Sequence, residues 1–174
     1  MSPARDRLNQ IQLRELTVAA QVGIEDLNVP SDAGALAHGS IVEGLGNSSS
    51  DIDVVVISRA HRPSPRGIQQ SVVELRGQSY RLEVVFSTEE SVRQLAARVN
   101  ACDFEDPESI RSIRSLLELY ERFCFGHPVR FEPWVRSLQA EFDPEHISRL
   151  LKTWHTESAN VLVYRANAML GIGD

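Results

Sequence analysis

Asp51-Ile52-Asp53 opens directly into Val54-Val55-Val56-Ile57, and this junction constrains the chain more than any other stretch. Side chains along a strand alternate between its two faces, so residues at i and i+2 stand on the same side. Asp51 and Asp53 therefore share a face at the mouth of a buried, central strand. Two ionised carboxylates held there carry a desolvation cost that a bound cation would relieve. A third acid, Glu83, lies in a second strand-like run, Tyr80-Arg81-Leu82-Glu83-Val84-Val85-Phe86, which the sequence allows beside the first. Three oxygen donors of this kind suit Mg²⁺, a hard ion that prefers carboxylates and substrate phosphates. A plainer reading competes with this one. Aspartates are common in turns at strand entrances, and Glu83 has Arg81 on its own side as the kind of basic neighbour that an exposed strand face pairs with acids.

Ten residues separate Asp51 from a Gly39-Ser40 pair. Glycine brings backbone amides close to phosphates with no Cβ in the way, and a serine hydroxyl at a helix N-terminus adds a donor where the dipole favours anions. In order and type, Gly39-Ser40, Asp51-Ile52-Asp53 and Glu83 resemble the signature of the nucleotidyltransferase superfamily, whose members include DNA polymerase β and the aminoglycoside nucleotidyltransferases. The resemblance covers about residues 33 to 90. His38 stands where the family tends to carry an aromatic or aliphatic residue, and Glu83 where Asp is commoner. The resemblance implies an α/β (α+β) nucleotidyltransferase fold, a short mixed sheet flanked by helices. It also implies two Mg²⁺ ions, with Mn²⁺ as an alternative, held by Asp51 and Asp53 about 3.5 to 4 Å apart. Glu83 would ligate the ion nearer the acceptor and accept its proton. His38, Gly39, Ser40, Ser49, Ser50, Arg62 and Arg66 would contact the nucleotide, expected by analogy with antibiotic-modifying members to be ATP. Arg62 and Arg66 sit in a Pro-rich loop, where a merely solvated arginine is the commoner case.

Composition narrows the substrate more than the class. A net charge of −6 and a pI near 5.4 work against a polyanionic partner, because duplex binding needs clustered Lys and Arg. Nucleic acid is therefore not expected, and a small molecule bearing a hydroxyl is the expected acceptor. Transfer to a protein or tRNA is a second reading, and a catalytically silent nucleotide-binding module a third. No basic, apolar leader opens the chain and no run approaches the ~20 apolar residues of a bilayer span, so the expectation is a cytoplasmic protein with no membrane partner. Cys102 and Cys124 fit neither a zinc spacing nor a disulfide framework.

Apolar periodicity divides the chain near residue 87. Before it, the spacing predicts a helix over Arg5 to Val22, a strand over 33–37, a strand over 51–58, and a hairpin joining 72–75 to 79–86 across Gly77-Gln78. After it, the pattern reads as helix throughout. Ser87-Thr88-Glu89-Glu90 has the form of a capping box, and Asp106-Pro107-Glu108 and Asp143-Pro144-Glu145 each place an acceptor before a helix whose first residue is proline. One helix is expected from Pro107 to a stop at Gly126, a shorter one around Trp134 to Leu138, and a long one from Glu145 to about Gly171. The division suggests a catalytic domain over 1–100 and an all-helical portion over 101–174 that docks beside the sheet or forms a homodimer.

Overall fold

The apolar run after Asp51 becomes the central strand of a five-stranded mixed sheet in a computed structural model. The structure describes residues 3–27, 29–39, 42, 50–59, 67–103, 105–113, 116–143, 145, 146, 149 and 152, and of these the side chains of all but 3–13, 107, 117, 118 and 121. Chain order gives α1 (Pro3–Asp26), β1 (Gly34–His38), β2 (Ile52–Ser58), β3 (Ile68–Leu75), β4 (Gln78–Thr88) and α2 (Glu89–Asn100), then α3 (Pro107–Ile113), α4 (Leu117–Phe125), β5 (His127–Arg130) and α5 (Glu132–Gln139). Across the sheet the order is β3-β4-β2-β1-β5. β2 runs parallel to β4 and antiparallel to β1, while β3 and β5 join β4 and β1 antiparallel as edge strands.

Alternation along β2 sends its side chains to two different cores. Val54 and Val56 join Ala35, Ala37, Leu82 and Val84 beneath α1, whose inward residues are Leu16, Ala19, Ala20 and Ile24. Val55 and Ile57 face the other way, with Leu36, into a cluster built by Val92, Leu95 and Val99 of α2, Ile113 of α3, Tyr120 and Phe123 of α4, and Val135 and Leu138 of α5. Each fully buried aliphatic of this kind contributes roughly 1.5–3 kcal/mol of transfer free energy. β2, like β1, is buried on both faces. Among the described residues no helix is long and apolar enough to cross a membrane, and both cysteines are free thiols.

Several boundaries differ from the periodic reading. The hairpin turn is Arg76-Gly77, not Gly77-Gln78, with φ of 53° and 79°. Two consecutive left-handed residues twist with the strands they join, which is why this turn type is favoured in two-residue hairpins. β3 begins at Ile68 because an edge strand can carry polar residues such as Gln69 and Gln70 where no neighbour covers it. β4 runs through Ser87, so the cap of α2 moves one residue on. Thr88 Oγ1 accepts from Ser91 N at 3.1 Å. Asp106 does cap α3, accepting from Glu108 N and Ser109 N at 3.0 and 3.2 Å, and Asp143 likewise accepts from Glu145 N and His146 N. The helix expected from Pro107 to Gly126 is two, α3 and α4, whose apolar residues still enter one cluster. β5 falls where the pattern reads as helix. It is only four residues long and contains Pro128, which an edge position tolerates. Most of the long helix expected after Glu145 lies outside the described residues.

Candidate active site

Strand pairing brings the acids together. In the parallel pair of β2 with β4, Asp53 stands opposite Glu83, and in the antiparallel pair of β1 with β2, His38 stands opposite Asp53. β3 completes the row by setting Gln70 opposite Glu83. Directly opposed residues on neighbouring strands share a face and lie about 5 Å apart at the backbone. Gln70, Glu83, Asp53 and His38 thus form one line across four strands, on the face that also carries Val55 and Ile57. Asp51, just ahead of β2, stands on the same side beside Arg81.

Each carboxylate has a distinct environment. Asp53 is partly buried, and its carboxyl is held above the ordinary aspartate value of 3.8, chiefly by burial. Arg122 opposes that shift, while the negative charges of Glu83 and Asp51 add to it. Both acids are therefore near enough to Asp53 for their charges to be felt. Glu83 Oε1 accepts a hydrogen bond from Gln70 Nε2 at 3.0 Å. Arg81 Nε lies 2.8 Å from Asp51 Oδ1 as an ion pair. Oδ1 is a buried atom, and the contact is one of charge without hydrogen-bond geometry. The basic neighbour expected for Glu83 thus pairs with Asp51 instead, because parallel register sets Ile52 against Leu82 and so Asp51 beside Arg81.

Gly39 explains how the turn after β1 meets this row. Its φ is +85°, and a Cβ built on it would collide with Asp53 Oδ2. Only glycine leaves that space, so the turn and the aspartate are shaped to each other. His38 is buried at the end of β1 and Ser50 half-buried just before Asp51. Ser40, Ser49, Arg62 and Arg66 lie outside the described residues.

Arg122 is the site residue that sequence reasoning overlooked. It sits in the last turn of α4, and no local pattern distinguishes it from a solvated helix arginine. Its place near Asp53 depends on how α4 ends. Gly126 stops the helix against β1, where a Cβ would lie 2.6 Å from Arg122 O and would also strike Leu36. Gln139 of α5 then donates to Phe123 O and Gly126 O, both at 2.8 Å, and satisfies carbonyls that the helix end leaves open.

The donor set suits a divalent cation. Three carboxylates share one face, one of their oxygens is buried without a hydrogen bond, and their mutual repulsion contributes to the raised pKa of Asp53. An added cation would offset all three features. Their side chains do not form a closed cluster. Among the described residues no group of three or more His, Cys, Asp or Glu is gathered as a ready-made metal centre, and Asp51 and Glu83 are turned to Arg81 and Gln70.

No curated protein matches the chain. The sequence does match the family model of the nucleotidyltransferase domain over residues 24–117, more than half its length. That span holds β1 to β4, the Gly39 turn and all three acids. Members of this family transfer nucleoside monophosphates and use divalent metals. With its mixed sheet, its flanking helices and its Asp-x-Asp step on the central strand, this chain belongs to the nucleotidyltransferase family.

Proposed function

We propose that the protein transfers AMP from ATP to a hydroxyl group of a small-molecule acceptor in the cytoplasm, in a reaction that depends on Mg²⁺. The observation that carries this reading is the register of Asp53 against Glu83, with Asp51 one step along the same face. The negative net charge supports an acceptor that is not a nucleic acid.

In the proposed reaction the acceptor oxygen attacks the α-phosphorus. The bond from that phosphorus to the oxygen bridging the β-phosphorus breaks, and pyrophosphate departs with the bonding electrons. Glu83 takes the hydroxyl proton, a role within reach of a half-exposed carboxylate whose second oxygen is not engaged by Gln70. Asp51 and Asp53 would hold Mg²⁺, which when bound supplies positive charge to the attacking and leaving oxygens. Gly39 keeps the turn clear so that Asp53 is not displaced. Arg122 sets a fixed positive charge beside Asp53 and favours its ionised, metal-binding form.

A thermal-shift panel of nucleoside triphosphates with and without Mg²⁺ tests the reading. A ligand at one hundred times its Kd stabilises the native state by about 2.7 kcal/mol. ATP with Mg²⁺ should raise the melting temperature by several degrees, and ATP with EDTA should raise it much less. An unchanged melting curve with every triphosphate would defeat the proposal. Incubation with labelled ATP and fractionated cell extract then shows where the label goes, and label on protein or tRNA would move the acceptor to those classes.

A further inference from the structure

We infer that Gln70 is a positioning residue for Glu83, holding one oxygen of its carboxylate so that the other is aimed at the reacting centre. The inference rests on the nucleotidyl-transfer reading above. Its geometry is specific. Gln70 faces Glu83 across the β3–β4 pair, and its Nε2 donates to Oε1 at 3.0 Å. An amide N–H donor is not displaced by the carboxylate's own charge, and it occupies a single lone-pair direction, leaving Oε2 for a metal ion or an acceptor hydroxyl.

Packing does not account for Gln70. Its neighbours on the same face of β3, Ile68 and Val72, are 61% and 60% exposed, and Gln70 is itself exposed. No buried polar group needs the bond, and no core would be emptied by its loss. Among the described residues Gln70 is the side chain that hydrogen-bonds the Glu83 carboxylate, while the nearby cation, Arg81, is drawn to Asp51. A free glutamate samples several rotamers, and ordering it at the moment of metal binding carries an entropic cost. Gln70 meets part of that cost in advance. The edge position of β3 leaves the approach to Glu83 open on this side.

The test compares wild type with Gln70→Met, which keeps side-chain length but removes the hydrogen bond, Gln70→His, which restores a neutral N–H donor, and Asp53→Asn. Mn²⁺ affinity is read by electron paramagnetic resonance in the presence of α,β-methylene ATP, and the melting temperature of each ligand-free protein is measured alongside. Loss of a hydrogen bond to a metal-ligating side chain typically weakens affinity about 10-fold or more. Gln70→Met should weaken Mn²⁺ binding about 10-fold with an unchanged melting temperature, and Gln70→His, measured at pH 8 with its imidazole neutral, should recover most of it. If Gln70→Met binds Mn²⁺ as wild type does while Asp53→Asn does not, the positioning role is wrong and the site reading survives. If Asp53→Asn also binds normally, the metal site itself is misplaced and the inference falls with it.

Discussion

The two faces of the sheet are built from the same strands and do different work. Beneath α1 the clustered residues of β1, β2 and β4 are apolar, Ala35, Ala37, Ile52, Val54, Val56, Leu82 and Val84, and the buried polar pair Ser58 and Thr88 comes only where β2 and β4 end. On the opposite face one end of the sheet is polar and the next stretch apolar: His38, Asp53 and Glu83 stand in a row where β1 ends and β2 begins, and Leu36, Val55 and Ile57 lie beyond them under α2, α4 and α5. Period-two alternation makes this possible, since a one-residue step changes face without disturbing the backbone ladder. The lesson is that the α1 face holds the acids in register, and the other face spends part of its burial on keeping carboxylates close together.

Asp53→Asn separates the two faces most strongly. Removing one metal-binding charge at nearly constant shape should lower the rate of pyrophosphate release at least about 1,000-fold, because cation stabilisation of the transition state is worth several kcal/mol. The fold should persist, as judged by circular dichroism. Unchanged turnover would sever the link between the acid row and catalysis. Next in size is Leu16→Ala on α1, a residue only 3% exposed. Leucine-to-alanine changes in cores cost about 2–5 kcal/mol, so urea unfolding should show a lower midpoint while activity per folded molecule holds. Loss of specific activity without loss of stability would show that the α1 face is more than scaffold.

Gly39→Ala should act on both counts and more mildly on stability. A residue other than glycine at φ +85° costs on the order of 1–3 kcal/mol, and the added methyl must push Asp53 aside. The expected result is a reduced melting temperature together with weakened binding of ATP and Mg²⁺ by calorimetry. The smallest effect concerns pH. Burial holds the folded-state pKa of Asp53 above 3.8, so its ionised form costs stability at neutral pH, and that cost disappears as the acid protonates in both states below 3.8. Asp53→Asn should therefore melt slightly higher than wild type at pH 7, by a few degrees at most, and the gap should close as pH falls below the carboxylate range. A gap that widens in acid would reverse the sign and place Asp53 in a stabilising ion pair.

The acid row of the candidate site was legible because much of it is local. Asp51 and Asp53 on one face follow from alternation within a single run, and the Gly39 turn and Glu83 follow in order behind a family signature. Asp106 and Asp143 announced their helix starts by chemistry that needs only two or three neighbouring residues. The errors were of a different kind. Thr88 replaced Ser87 as cap because β4 continues two residues beyond Phe86, held by pairing of Ser87 and Thr88 with Ile57 and Ser58. β5 escaped notice because four residues with a proline carry no periodicity, and only β1 makes them a strand.

By itself the sequence determined that two aspartates share a face ahead of a buried strand, since backbone stereochemistry allows no other alternation. Which partners those acids meet was decided by tertiary structure. Parallel register assigned Arg81 to Asp51 and Glu83 to Asp53, the edge strand supplied Gln70, and the end of α4 against β1 brought Arg122 near. Register and helix docking are set by the summed burial of many side chains, and no single residue along the chain encodes that sum.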